Sequence, residues 1–413
     1  MMSNGVVRHP MLDNLGKLPA TLLTLLILCF FSHDSVAEPK QFIIFNISSG
    51  NGTDAFEYIH QQRQDGQDSP VAAGVGLIFS YLAKARPEIE ADLKLFLDRS
   101  SEMNVPIVVQ LDGENWWGGR PDLWNWWDTN RPGYSDHNRT NVEWTSWSQA
   151  DAIKIAWRNW GSQIRVLPPP NLMSRAYRGA VHEEMRVLIP LVLNWWKKLP
   201  ANRKHLLVGI KLGWESSIGV NAWHYPHGNE MLDHPASSDP TGGLAASELP
   251  ARGVAQIGYA AVKTAGIRTD GKIQEADLAE VVRRHLFDLC RLAGELGVPR
   301  DRLFTHIAGW KSGEMLYHSG TNAFSCPGWS FYQHAADPSK DAGVQAALKR
   351  SDAPYWAAVE WLYQGPRKLD PWRDAMANTL AQPNCRYLCI YNWEAVRADK
   401  EIMSAVQSLT RGR

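Results

Sequence analysis

The chain is 413 residues long, 44% hydrophobic, with 43 basic and 43 acidic side chains. This balance gives no electrostatic reason to expect nucleic acid or an anionic membrane surface as a partner. The length suits one (β/α)8 barrel with insertions, which runs from roughly 200 to over 400 residues, and no linker-like tract divides it.

Residues 1–37 read as a targeting segment. Arg8 and Lys17 precede an apolar run from Leu18 to Phe31, and Ser35-Val36-Ala37 supplies small residues for cleavage. An uncleaved signal anchor is the alternative. The expected mature domain, 38–413, is secreted or lumenal (extracellular or lysosomal), with no membrane contact beyond that segment.

In chain order, Gln41 to Asn46 is a strand and Asp54 to Arg63 a helix; Val71 to Phe79 is a second strand. Pro87 opens a helix whose apolar residues Ile89, Leu93, Phe96 and Leu97 recur at helical spacing. Val105 to Leu111 is a third strand. This alternation implies a parallel sheet. Nine of the 19 tryptophans then fall between 116 and 160, in a segment broken by Pro, Gly, Asn and Asp. Helices are expected at Ser148 to Asn159 and Arg175 to Lys198. Leu206 to Leu212 is an apolar run, with Lys211 inside it, of the kind that forms a strand buried on both faces.

Ala245 to Ala265 has helical character, and Glu275 to Leu296 is strongly amphipathic, stopping at Gly297. Strands follow at Arg302 to Ile307, Tyr355 to Val359 and Arg386 to Tyr391. Helices follow at Ala342 to Lys349, Pro371 to Leu380 and Asp399 to Leu409. Seven strands are counted; an eighth is expected between 216 and 301. The fold class is α/β, a single (β/α)8 barrel with long Trp-rich βα loops.

Four cysteines remain after residue 37, and Cys326 with Cys385, both in presumed loops, is the expected disulfide; Cys290 and Cys389 read as buried thiols. Sequons at Asn46, Asn51 and Asn138 fit an exported glycoprotein.

Three strand ends carry Trp beside Glu: Trp214-Glu215, Glu360-Trp361 and Trp393-Glu394. Side chains past the carboxyl ends of barrel strands build active sites, so these imply one polar, aromatic-lined pocket of the kind that cleaves sugars. Glycosidic hydrolysis needs two carboxyl groups flanking the scissile oxygen. Five candidates stand at strand ends: Asp112, Glu114, Glu215, Glu360 and Glu394. Glu215 and Glu360 lead because each directly follows a cleanly apolar strand. The plain alternative for each is a carboxylate that orients a neighbour or pairs with Arg or Lys.

Asn115, Trp116, Trp117, Trp214, His306, Trp310, Trp361, Asn392 and Trp393 are the expected substrate contacts, with Asp112, Glu114 and Glu394 beside them. A core role is the common use of any single Trp, but clusters in polar loops fit it less well. His182-Glu183-Glu184 lacks a second histidine four residues on, and neither a serine-nucleophile elbow nor a phosphate-binding glycine loop is present. No metal and no cofactor are expected.

At these positions the chain resembles the retaining (β/α)8 glycoside hydrolases of clan A, without matching one family. There the acid/base Glu ends strand four, the nucleophile Glu ends strand seven and a Trp ends strand eight. Leu212-Gly213-Trp214-Glu215, Ala358-Val359-Glu360-Trp361 and Tyr391-Asn392-Trp393 stand in those places in order. The resemblance implies Glu215 as acid/base, Glu360 as nucleophile and Trp393 as the platform under the cleaved sugar. One departure is clear: the clan usually has Asn before the acid/base, and this chain has Trp214. Asn115 or Asn221 is then expected to contact the sugar 2-hydroxyl. The expected partner is a carbohydrate. The alternatives are an inverting hydrolase using another pair, such as Glu114 with Glu360, and a secreted carbohydrate-binding barrel without catalysis.

Overall fold

In the computed structural model, eight parallel strands close into a barrel. Described are residues 41–48, 52–64, 69–159, 163–240, 253–308 and 315–411. The strands are β1 (Gln41–Ile47), β2 (Val71–Ser80), β3 (Ile107–Asp112), β4 (Leu207–Ser216), β5 (Leu303–Ile307), β6 (Gly328–Phe331), β7 (Trp356–Trp361) and β8 (Cys385–Ile390). β1 pairs with β2 on one side and, in the register Phe42 to Tyr387, with β8 on the other, which closes the ring. Seven helices cover it: α1 (Gly52–Gln64), α2 (Arg86–Met103), α3 (Arg175–Lys198), α4 (Glu275–Glu295), α5 (Ala342–Arg350), α6 (Leu369–Leu380) and α7 (Lys400–Thr410). Between β5 and β6 the described part holds a 3-10 turn, Met315–Gly320, whose Ser319 Oγ donates to Ala279 O on α4.

The eighth strand is therefore β6 and not a segment between 216 and 301. It has only four residues, Gly-Trp-Ser-Phe, and its Ser330 faces inward, so no apolar run announces it. Alternation, reset where the register slips in β4 and β7, sorts the strands into two cores. Phe42, Ile44, Val108, Val208, Phe304, Val359 and Tyr387 fill the barrel floor, while their neighbours pack under the helices. Above the floor the interior turns polar: Gln110 Nε2 donates to Asn46 Oδ1 at 2.6 Å.

The insertion between β3 and α3 has its own core. The indole N–H groups of Trp117, Trp124, Trp126 and Trp144 donate to backbone carbonyls of Pro168, Trp117, Ile153 and Arg139. These tryptophans staple an irregular chain whose carbonyls no ladder would satisfy. Trp117→Ala should lower stability by about 3–5 kcal/mol, the range for emptying a buried indole site, measurable by thermal or denaturant unfolding. Ser148 to Asn159 is not a helix. Ser148 caps the turn Gln149–Asp151, and Ala156–Asn159 is a strand paired antiparallel with Gln163–Val166 and with Trp223. Ile153, Ile155, Ala156 and Trp157 are all buried, so the segment is enclosed on both faces and not on one helical stripe. Of Ala245 to Ala265, the described part is helical only at Tyr259–Thr264.

Cys326 and Cys385 are free, buried thiols. Cys326 lies just before β6 and Cys385 opens β8, on opposite sides of β7. Two strand spacings, about 9.5 Å, exceed the Cα separation a disulfide spans. The Asn46 and Asn138 amides are also buried: Asn46 accepts from Gln110, and Asn138 Nδ2 donates to the Asn125 and Gly133 carbonyls at 3.0 and 3.1 Å. Neither side chain is presented for glycosylation in the folded chain. Asn51 lies outside the described residues, as do residues 1–37. No helix among the described residues is long and apolar enough to cross a membrane.

Candidate active site

Glu215 and Glu360 meet above the polar layer of the barrel. They come from the ends of β4 and β7, and both are nearly sealed from solvent, at 3% and 5% exposure. An oxygen of each and a ring nitrogen of His306 all lie within 4.8 Å of one another.

Both carboxylates sit at breaks in strand register. Along β7, Ala357 and Val359 face the barrel floor, so strict alternation would turn Glu360 outward and Trp361 inward. The pairing slips between Ala357 and Glu360 toward β6, and between Ala358 and Trp361 toward β8. The slip reverses the last two side chains, as bulges beside active sites do. At β4 the pairing with β5 slips between Leu212 and Ser216. Gly213 there has φ +79° and Glu215 itself φ +51°. A Cβ at Gly213 would press on Ser216 Oγ and stand 2.8 Å from Glu114 Oε1. Gly213→Ala should cost roughly 1–3 kcal/mol, the scale of a non-glycine residue forced into the left-handed region. It should also displace Glu215, so thermal unfolding and activity should both fall.

Each carboxylate has its own donors. Ser330 Oγ donates to Glu215 Oε1 at 3.1 Å, and Asn221 Nδ2 donates to Oε2. Trp214 Nε1 donates to Glu360 Oε2 at 3.1 Å, and the Tyr332 hydroxyl donates to Oε1. Burial, and then the Glu360 charge, pushes the Glu215 carboxyl up to about 8. Burial also raises Glu360, but Tyr332, Lys211 and Trp214 all oppose the rise. The proton therefore resides on Glu215 and the charge on Glu360. Tyr391, half-buried past β8, stands near both, and their charges add to burial in raising its phenol.

Glu114 and Asn115 flank this pair. Glu114 Oε1 accepts from Ser216 Oγ at 2.7 Å and faces His285 Nε2 at 3.2 Å; Asn115 Nδ2 donates to the Trp214 carbonyl at 2.8 Å. Both line a polar cavity with Glu143, Arg158 and Glu215. Burial takes the Arg158 guanidinium down to about 10 and the Glu143 carboxyl up to about 8. Asp112 shapes the turn rather than the cavity: its carboxylate accepts the Glu114 and Asn115 backbone N–H groups and the Ser80 hydroxyl. Trp116 is half-buried beside it.

Several expected contacts lie elsewhere. Trp117 belongs to the insertion core. Trp361, with no exposed surface, donates to Ala335 O and Thr379 Oγ1 under α6, the other consequence of the β7 slip. Trp393 is not a platform in the pocket: its ring packs edge-on to Phe45 at 5.1 Å and against Tyr58 of α1 at 5.5 Å, outside the barrel wall. Tyr391 takes the inward place instead. Asn392 caps the turn Trp393–Val396, and Glu394 Oε1 accepts from the Ser48 backbone and hydroxyl. His306 has no exposed surface and lies below the carboxylates. Trp310 falls outside the described residues. Ser330, Tyr332, Lys211 and Arg158 were not among the expected residues. Locating β6 would have exposed the first two, since Ser330 faces inward on it and Tyr332 stands one residue past its end.

Glu215, His306 and Glu360 form a donor set that could hold a cation. The surroundings oppose it. The Lys211 ammonium lies 2.8 Å from His306 Nδ1, so the ring's remaining proton occupies Nε2, which faces Ser330 Oγ at 2.8 Å and Glu360 Oε2 at 3.8 Å, and that nitrogen has no lone pair for a cation. A buried ammonium beside the three would also repel the ion.

No protein-family model matches this sequence, and no curated protein matches it. Among solved structures the chain is similar to GH26A from Muricauda sp. MAR_2010_75, at 11% identity over 95% of each chain with a TM-score of 0.44. It is also similar to the Bacillus subtilis mannanase BCman, at 11% identity, 94% of this chain, 91% of that one and a TM-score of 0.45. A GH5-4 broad specificity endoglucanase from an uncultured bacterium gives 9% identity, 92% and 96% coverage and a TM-score of 0.43. Likenesses this distant carry no argument about activity, and the chemistry stands on the residues of the site.

Proposed function

We propose that the chain is a retaining glycoside hydrolase, with Glu215 as acid/base and Glu360 as nucleophile. The observation that carries this reading is the pair itself: two buried carboxyl groups from β4 and β7, each with an oxygen within 4.8 Å of one on the other. So close an approach of one oxygen from each is in keeping with the short carboxyl separation of retaining enzymes, about 5–5.5 Å, rather than the roughly 6.5–9.5 Å that leaves room for water. In the first step Glu360 attacks the anomeric carbon, the glycosidic C–O bond breaks, and the Glu215 proton passes to the departing oxygen. Glu215 then takes a proton from water as that water displaces Glu360. Tyr332 and Trp214 hold the Glu360 carboxylate on both oxygens, which orients the attacking atom.

Glu114 Oε1 pairs with Ser216 and His285, and it is a Glu215 oxygen that comes within 4.8 Å of one on Glu360, which favours Glu215 over Glu114 as the partner. The binding-only reading loses support because Trp117, Trp361 and Trp393 are turned into packed cores. The basic and then apolar start of the chain supports an exported enzyme acting in an extracellular or lumenal space. A panel of aryl glycosides, with the anomer first released followed by NMR, tests the proposal. Turnover with retained configuration is expected; inverted product, or inertness across the panel, would remove it.

A further inference from the structure

Below the two carboxylates, four buried side chains from three strands run in series. Lys211 on β4 reaches His306 Nδ1 on β5 at 2.8 Å, His306 Nε2 lies 2.8 Å from Ser330 Oγ on β6, and Ser330 Oγ donates to Glu215 Oε1 at 3.1 Å. Lys211 is turned inward because the β3–β4 register slips after Ile107, pairing Gln110 with Lys211. The series has a direction. An ammonium has donors and no acceptor, so His306 Nδ1 must accept. Burial and the Lys211 charge keep the imidazole neutral, so its single proton sits on Nε2. That N–H points at Ser330 Oγ, leaving the serine proton for Glu215. His306 Nε2 is 3.8 Å from Glu360 Oε2, too far to compete with Ser330.

We propose that Lys211, His306 and Ser330 are positioning residues whose hydrogen bonds, all pointing one way, keep Ser330 a donor to Glu215 Oε1 and so hold the acid's carboxyl in a fixed orientation. This rests on Glu215 being the acid. Lys211 and His306 touch no substrate and act through Ser330. Asn221 Nδ2 donates to Oε2 and Ser330 to Oε1, so the carboxyl is held on both sides, and the Lys211 series fixes the Oε1 side. Other groups act on Glu215 as well: Glu360 from β7, Tyr332 beyond β6, Tyr391 beyond β8 and Arg158 from the insertion. Those contribute charge or burial, whereas Asn221 holds Oε2 and the Lys211 series holds Oε1 by hydrogen bonds.

The test needs no substrate. In the full chain labelled with 15N in its histidine rings, the His306 signals are identified by their loss in His306→Gln. Wild type is expected to show Nε2–H with a bare Nδ1, unchanged between about pH 5 and 8. Lys211→Met should mix the two tautomers. With 13C-carboxyl glutamate, identified by Glu215→Gln, Ser330→Ala should move the Glu215 titration to higher pH, and Ser330→Thr should restore it. An Nδ1–H or doubly protonated ring in wild type would overturn the proposal even if the variants fail to fold. So would a Glu215 titration indifferent to Ser330→Ala in a folded, active glycosidase. The expected tautomer and titration shifts in a protein inert to every glycoside would instead uphold the chain and remove the hydrolase reading.

Discussion

Glu360→Gln should abolish turnover, by about 10⁶-fold, the scale on which losing a covalent nucleophile falls. The fold should be kept, because the amide fills the same space between Tyr332 and Trp214. Glu215→Ala should behave differently, and the difference separates the two roles. On a glycoside with an alkyl leaving group the loss should be about 10²–10⁴-fold, the usual worth of general acid–base catalysis. On a dinitrophenyl glycoside, whose phenolate departs unprotonated, the first step should survive and the second should stall, since nothing then activates water. Azide, which needs no base, should relieve that stall and give a glycosyl azide of retained configuration. Mass spectrometry of the stalled variant should find the sugar on the peptide holding Glu360. Measurable turnover by Glu360→Gln, or an azide product of inverted configuration, would overturn the assignment.

Much of this site was legible in the sequence because barrel strands are short apolar runs and function gathers just past their ends. Glu215 and Glu360 stand out on that rule alone, and seven strands were placed by it. What was not legible follows from three physical causes. A register slip is a property of two strands paired in space, so the inward turn of Glu360 and the outward turn of Trp361 could not be read from either strand alone. A strand lining a polar interior lacks an apolar signature, which hid β6 and with it Ser330 and Tyr332. Tryptophans in a Gly- and Pro-rich stretch resemble ligand platforms until their N–H groups are followed to carbonyls within the insertion. Trp393 misleads for a related reason: two residues past the inward Tyr391, and one past Asn392, which caps the next turn, the chain has already turned to pack on Phe45 and Tyr58.

The pH dependence of stability should expose Glu215 independently of any substrate. Its carboxyl is pushed up to about 8 in the folded chain, against about 4.3 for an unperturbed glutamate. Between those values the native state holds a proton that the unfolded chain has lost, so stability falls as pH rises through that window. The cause is burial of a second negative charge beside Glu360, and an uncharged amide avoids it. Glu215→Gln should therefore unfold at nearly the wild-type temperature at pH 5 and at a higher temperature at pH 9. The comparison must be between the two proteins and not with pH alone, because Asp112 and Glu143, raised to about 6 and 8, slope the same way in both. Activity should follow the same proton: kcat/KM should decline on the alkaline side near pH 8 as the acid ionises, and on the acid side as Glu360 takes a proton. Those limbs belong to the coupled pair rather than to either residue. Parallel melting curves for wild type and Glu215→Gln across pH 5–9 would mean that Glu215 ionises like a solvated carboxylate, and the acid role built on its retained proton would fall with that result.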